Sequence, residues 1–140
     1  MKLWAMLLAV VASLCLVISV FAEITPDYQA SFEKKIMEDF NSPQIQQNWR
    51  DGIKSEAQAS LDHALIKYTP DEVQPFSEKA VIVKGYVTIK LYCYKNDNKV
   101  TVIVVREVVA MVDKTTGQVL QTAAISQDIK MVGGWDGIET

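Results

Sequence analysis

Arg106 and Glu107 are adjacent opposite charges that interrupt the aliphatic run Val100 to Val112. Neighbours on a strand point to opposite faces, so one of the two must turn toward the core side. There an ion pair or a bulge satisfies it, or it meets a ligand at the mouth of a curved sheet. A second candidate is the row Lys84, Tyr86, Lys90, Tyr92 and Tyr94, all at even spacing. Such a row can stack on sugars or hold an anionic partner, although Tyr, Thr and Lys are also what an exposed strand face ordinarily carries. Trp135 is the third, flanked by Gly133, Gly134 and Gly137. It reads either as a latch in a groove of its own domain or as a docking tail for a partner.

Catalytic constellations are missing. His63 is the single histidine and lies beside Asp62, so neither a zinc site nor a Ser-His-Asp triad can be assembled. One nucleophile and base can be written, Cys93 with His63, but Cys93 continues an apolar row and reads as a buried strand residue. The sequence contains no phosphate-binding glycine loop, HExxH or paired-cysteine motif. No catalytic residue, metal ligand or cofactor is therefore assigned, and the role expected is non-enzymatic.

The elements that must carry these residues begin with a leader. Lys2 precedes an uncharged apolar run from Leu3 to Phe21, and Val20-Phe21-Ala22 supplies small residues where signal peptidase needs them. Residues 1–22 read as a signal peptide, with an uncleaved membrane anchor as the alternative because the run is nearly long enough to span a bilayer. Cleavage would remove Cys15 and leave Cys93 as the single thiol, so no intramolecular disulfide is expected. The remaining 118 of 140 residues suit one domain, residues 23–132, with a tail over 133–140. Of 14 basic residues only Lys2 lies in the leader, which leaves 13 against 17 acids and a net charge of −4. Nucleic-acid binding, which requires a basic surface, is disfavoured.

Periodicity divides the domain into a helical half and a strand half. Thr25-Pro26-Asp27 opens a helix, with Thr25 as N-cap, and Tyr28, Phe32, Ile36 and Phe40 form its apolar stripe. Asn41-Ser42-Pro43 starts a second helix, which the spacing of Ile45, Trp49, Ile53, Ala57, Leu61 and Leu65 extends to about Tyr68. Thr69-Pro70-Asp71-Glu72 then repeats the N-cap pattern for a single turn. From Lys79 the period becomes two. Val81, Val83, Val87, Ile89, Leu91 and Cys93 share a face to be buried, and Gly85 suggests a bulge or a tight turn between two strands. Turns at Asn96-Asp97-Asn98 and Lys114-Thr115-Thr116-Gly117 delimit two further strands, with Leu91 opposite Ile103 or Val104. Both faces of the middle strand are apolar, so a helix, the tail or a second molecule should cover the second face.

The fold class expected is α+β: two N-terminal helices packed on a long, curved three-stranded antiparallel meander. The stretch Val112-Asp113-Lys114-Thr115-Thr116-Gly117-Gln118-Val119-Leu120 resembles the last hairpin of PepSY domains. That resemblance implies an extracytoplasmic module associated with peptidase propeptides and protease inhibition. Helices followed by a long meander also resemble cystatin-like and NTF2-like cones, a likeness of architecture that transfers no site. The expected function is a secreted or periplasmic interaction or inhibitor-type protein, with a protein partner or a second copy. The alternative is a small-ligand carrier or NTF2-like enzyme with a pocket between sheet and helices. A deep pocket with a buried charge favours the carrier; a filled core with a broad apolar outer face favours the interaction protein.

Overall fold

The computed structural model describes residues 25–135; the expected leader and most of the expected tail lie outside them. Helix α1 spans Tyr28–Phe40 and α2 spans Pro43–Gly52, followed by a π-helical turn at Ile53–Ala57. Four strands follow: β1 Ser60–Pro75, β2 Ala80–Lys95, β3 Asn98–Asp113 and β4 Val119–Gly133. They form one antiparallel sheet in the order β1-β2-β3-β4. The α+β class is as expected, but the sheet has four strands where three were expected. Among the described residues no helix is long and apolar enough to cross a membrane.

The extra strand comes out of the expected second helix. Residues 60–68 satisfy a helical spacing, yet Leu61, Ala64, Ile66 and Tyr68 serve equally as the inward row of a strand once a bulge separates Leu61 from His63. Gln58, in a left-handed conformation at φ 53°, ends the π turn and redirects the chain. What decides between the two readings is β2, whose backbone groups would otherwise lack partners on one side. Tertiary pairing therefore overrides local periodicity. Thr69-Pro70-Asp71-Glu72 is likewise strand, with an irregularity between Pro70 and Val73. As an edge strand, β1 tolerates Pro70 and Pro75.

The helix starts follow capping rules with one shift. Asp27 rather than Thr25 caps α1, its carboxylate accepting the Ala30 N–H at 3.1 Å. Ser42 caps α2, accepting from the Ile45 N–H at 3.3 Å, with Pro43 at the first helical position. Between β2 and β3 the turn contains only Asn96 and Asp97, both at positive φ (51° and 63°), as a two-residue hairpin with strand-matched twist requires. Leu91 therefore pairs with Val102, not with Ile103 or Val104.

Both helices lie on one face of the sheet. Val83, Val87, Ile89, Leu91 and Cys93 of β2, with Val102, Val104, Ala110 and Val112 of β3, pack there against Phe32, Phe40 and Ile53. Gly85 is not a bulge: it pairs in register with Pro70 and Val108. Its missing side chain makes room for Tyr68, whose ring would stand 2.3–2.5 Å from a β-carbon at that position. The buried Tyr68 ring meets Phe32 edge-on at 5.5 Å, and its hydroxyl donates to Gln29 Oε1. Gln29 in turn donates to the Lys84 carbonyl at 3.1 Å, so this contact seats α1 on the sheet.

The hairpin from β3 to β4 holds the same N-terminal end of α1 from its other side. The Asp113 carboxylate accepts the Thr115 and Thr116 backbone N–H groups at 2.9 and 2.8 Å, which keeps its pKa below the usual range. Gly117 closes the turn at φ +75°, where a side chain would strike Pro26. The Tyr28 hydroxyl donates to the Lys114 carbonyl at 2.6 Å.

Candidate functional site

The sequence-selected residues separate onto the two faces of the sheet. Register pairs Arg106 with Val87 and Gln127, which puts it in the inner row beneath the helices. Glu107 pairs with Tyr86 and Ser126 in the outer row. Tyr86, Lys90, Tyr92 and Tyr94 are outer-face residues as expected, and the fold does not bring them to Arg106.

Arg106 is where the inner face departs from a filled core. Its Nε–H donates to Gln127 Oε1 at 2.6 Å, and its guanidinium carbon lies 5.0 Å from the centre of the Trp49 ring. Trp49 and Ile45, one helical turn apart on α2, both line this side of the sheet, and Trp49 packs against the core. Among the described residues no carboxylate forms an ion pair with Arg106. Burial lowers its pKa. The nearby Asp39 is engaged by Lys35 at 3.1 Å on α1. Of the two plain structural expectations for this pair, the internal ion pair is not formed, whereas an irregularity does fall beside it, between Glu107 and Val108, with the extra residue on β4.

Around the guanidinium is an open cavity of about 310 Å³, walled by Phe32, Ile36, Phe40, Trp49, Ile89 and Val108. Lys35, Asp39 and Thr122 add polar groups. This is the lower end of the size range for small-molecule sites, with the usual composition of apolar walls and few polar groups. Its helical residues went unassigned from sequence because an apolar stripe at helical spacing reads first as core. The signal that pointed to the cavity was the need for one member of Arg106-Glu107 to face inward.

On the outer face, Trp135 covers one end of the sheet. Its indole N–H donates to the Cys93 carbonyl at 2.9 Å, and its ring contacts Tyr94, His63 and Tyr92 at centroid distances of 4.9, 5.3 and 6.0 Å. Lys99 Nζ stands over the same ring at 4.8 Å. His63 lies on β1, not on a helix, stacked on Tyr92 at 4.7 Å with its Nδ1 2.7 Å from Asp62. Tyr92 is consequently only 1% exposed. Cys93 faces inward and His63 outward, so the sheet separates them and no thiol-imidazole pair forms. Burial raises the Cys93 thiol pKa to about 11, which disfavours the reactive thiolate. Among the described residues no group of His, Cys, Asp and Glu could hold a metal ion.

Beyond this aromatic cluster no helix among the described residues covers the outer face, where Tyr86, Val105 and Leu65 are exposed. No family model, curated protein or solved structure matches this chain. The geometry of the inner cavity and the outer face is therefore the basis for a functional reading.

Proposed function

We propose that this chain is a non-enzymatic binding protein whose inner cavity takes a small amphipathic anion: an apolar body carrying one carboxylate, sulfonate or phosphate. The observation that carries the reading is Arg106, a half-buried guanidinium with no acidic partner at the wall of an apolar cavity. A charge held there is costly without a counter-ion, and an incoming anion would relieve that cost with charge-assisted hydrogen bonds. Trp49 holds the guanidinium plane by cation–π contact and leaves its outer N–H groups for a ligand. The apolar walls would accept a chain or ring of modest length. A nucleophile activated by a base is absent from the cavity lining, which is why carriage or sensing is the reading and turnover is not.

The test is calorimetric titration with decanoate, decyl sulfate and decanol. The two anions should bind, the alcohol at least tenfold more weakly, and Arg106→Met should bring the anions to the level of the alcohol while leaving the alcohol unchanged. Failure of both anions to bind at millimolar concentration, or equal binding of all three, would overturn the proposal.

The interaction-protein reading rests on a different observation, the uncovered outer face with Tyr86 and Val105 exposed beside Lys90. Work outside the cytoplasm is part of the proposal in either case and rests on reading residues 1–22 as a leader. It requires that exported material begin at Glu23, which intact-mass measurement would read directly; retention of residues 1–22 in a membrane fraction would make the protein an anchored one.

A further inference from the structure

The sheet has two edges, and the sequence treats them differently. Edge strand β1 carries Pro70, Pro75 and two irregularities, devices that discourage pairing with another chain. Edge strand β4 contains no proline. Its two register shifts fall between the partners of Glu107 and Val108 and between those of Met111 and Val112, which leaves residues 126–133 regular. In that regular half Ile129 is 52% exposed and Met131 44%, and both lie in the inner row opposite Val104 and Val102. They extend the apolar inner face to a margin that nothing among the described residues covers.

The backbone groups of this edge can be assigned by alternation. The Gly134 N–H donates to the Lys99 carbonyl at 2.8 Å, so even-numbered residues of this half turn their backbone groups toward β3. Residues 127, 129 and 131 therefore turn theirs outward.

We infer that β4 pairs antiparallel with β4 of a second copy about a two-fold axis through Ile129. An axis normal to the sheet keeps both helical faces on one side, so residues directly opposite must share a face, and the pairing must centre on a residue rather than between two. Charge then selects which residue. Centring on Asp128 would set two aspartates against each other, and centring on Lys130 would set two lysines together. Centring on Ile129 sets Asp128 opposite the partner's Lys130 and Lys130 opposite the partner's Asp128. Both charged pairs fall at non-hydrogen-bonded positions, where opposing side chains approach most closely. The outward backbone groups of residues 127, 129 and 131 meet their counterparts, and the two Ile129 side chains join Met131 in one apolar seam beneath an eight-stranded sheet. A ladder this short buries less than the roughly 1,600 Å² of a standard stable interface, so the dimer is concentration-dependent. This inference does not rest on ligand binding in the cavity, although the pairing sets Gln127, the hydrogen-bond partner of Arg106, opposite the partner's Met131.

Sedimentation velocity at about 10–500 µM, with circular dichroism as the fold control, tests it. Wild type should shift from monomer toward dimer across that range. Asp128→Lys should weaken association about tenfold by setting like charges opposite each other, and Asp128→Lys with Lys130→Asp should restore it. Register is read by mild oxidation of Ile129→Cys, Asp128→Cys and Lys130→Cys, with Cys93 buried and slow to react. A covalent dimer should form fastest with Ile129→Cys, the position facing its own copy. A wild type monomeric throughout, a charge reversal that the double exchange fails to rescue, or cross-linking that favours position 128 or 130 would each overturn the inference.

Discussion

Gly85→Ala adds a single methyl group at a site whose neighbour, Tyr68, is held by Phe32 and Gln29. The new carbon would lie 2.3 Å from the Tyr68 hydroxyl oxygen and 2.4 Å from its Cε2, well inside van der Waals contact. Tyr68 must swing away, which breaks its edge-on contact with Phe32 and its hydrogen bond to Gln29. An aromatic pair of this kind contributes about 0.5–1.5 kcal/mol, and a hydrogen bond about 1 kcal/mol. Against that, alanine reduces the chain entropy lost on folding by about 0.5–1 kcal/mol relative to glycine. The net expectation is a loss of about 0.5–2 kcal/mol, overlapping the range for overpacking a core site. In a domain of this size that lowers Tm by roughly 2–10 °C. A double-mutant cycle isolates the cause: in a Tyr68→Val background, where no ring reaches over residue 85, Gly85→Ala should be neutral or slightly stabilising. Urea unfolding of the four proteins should therefore give a coupling energy on the order of 2 kcal/mol. An equal cost of Gly85→Ala in both backgrounds would refute the reasoning, because the glycine would then be required by something other than the tyrosine.

Alkaline pH should destabilise the domain in a way that Tyr68→Phe partly removes. Burial, then the charges of Glu33 and Asp71, raise the Tyr68 phenol from 10.0 to about 12; its contribution is complete below pH 10 and lost as pH rises through 12, as thermal melts from pH 8 to 12 would show. Cys93 should react slowly with a thiol reagent at pH 8 in the native protein and rapidly in urea, and fast native labelling would mean that the inner face opens. Trp135→Ala should lower Tm and speed hydrogen exchange at the Lys99–Thr101 end of β3, since it removes the cap on Tyr92 and Tyr94; unchanged exchange there would show that the indole holds nothing in place. Tyr86→Asp should change stability by less than about 1 kcal/mol, because Tyr86 is 40% exposed, and a large loss would require that face to be covered within the chain.

Local chemistry was enough for several elements. The N-terminal stripe of Tyr28, Phe32 and Ile36 and the Ser42-Pro43 start fix helices because capping and four-residue spacing act within a few residues. Alternation from Val81 to Cys93 identifies the inner face of β2, and Asp113 to Gly117 encodes its own turn through side-chain acceptors and a positive φ. That either Arg106 or Glu107 must face inward was also legible, since it follows from the two-residue period of any strand. Which of them does so required the hairpin register, and that depends on both Asn96 and Asp97 adopting positive φ. Residues 60–68 were misread because their spacing suits both a helix and a bulged strand, and only the unpaired edge of β2 decides between them. Gly85 suggests a bulge because sequence shows a missing side chain but not the Tyr68 ring of β1 that fills its place. The cavity lay beyond sequence for the same reason: its walls are two helical stripes and a sheet face, each of which alone reads as core, and only their packing leaves Arg106 beside Trp49 without an acid to neutralise it.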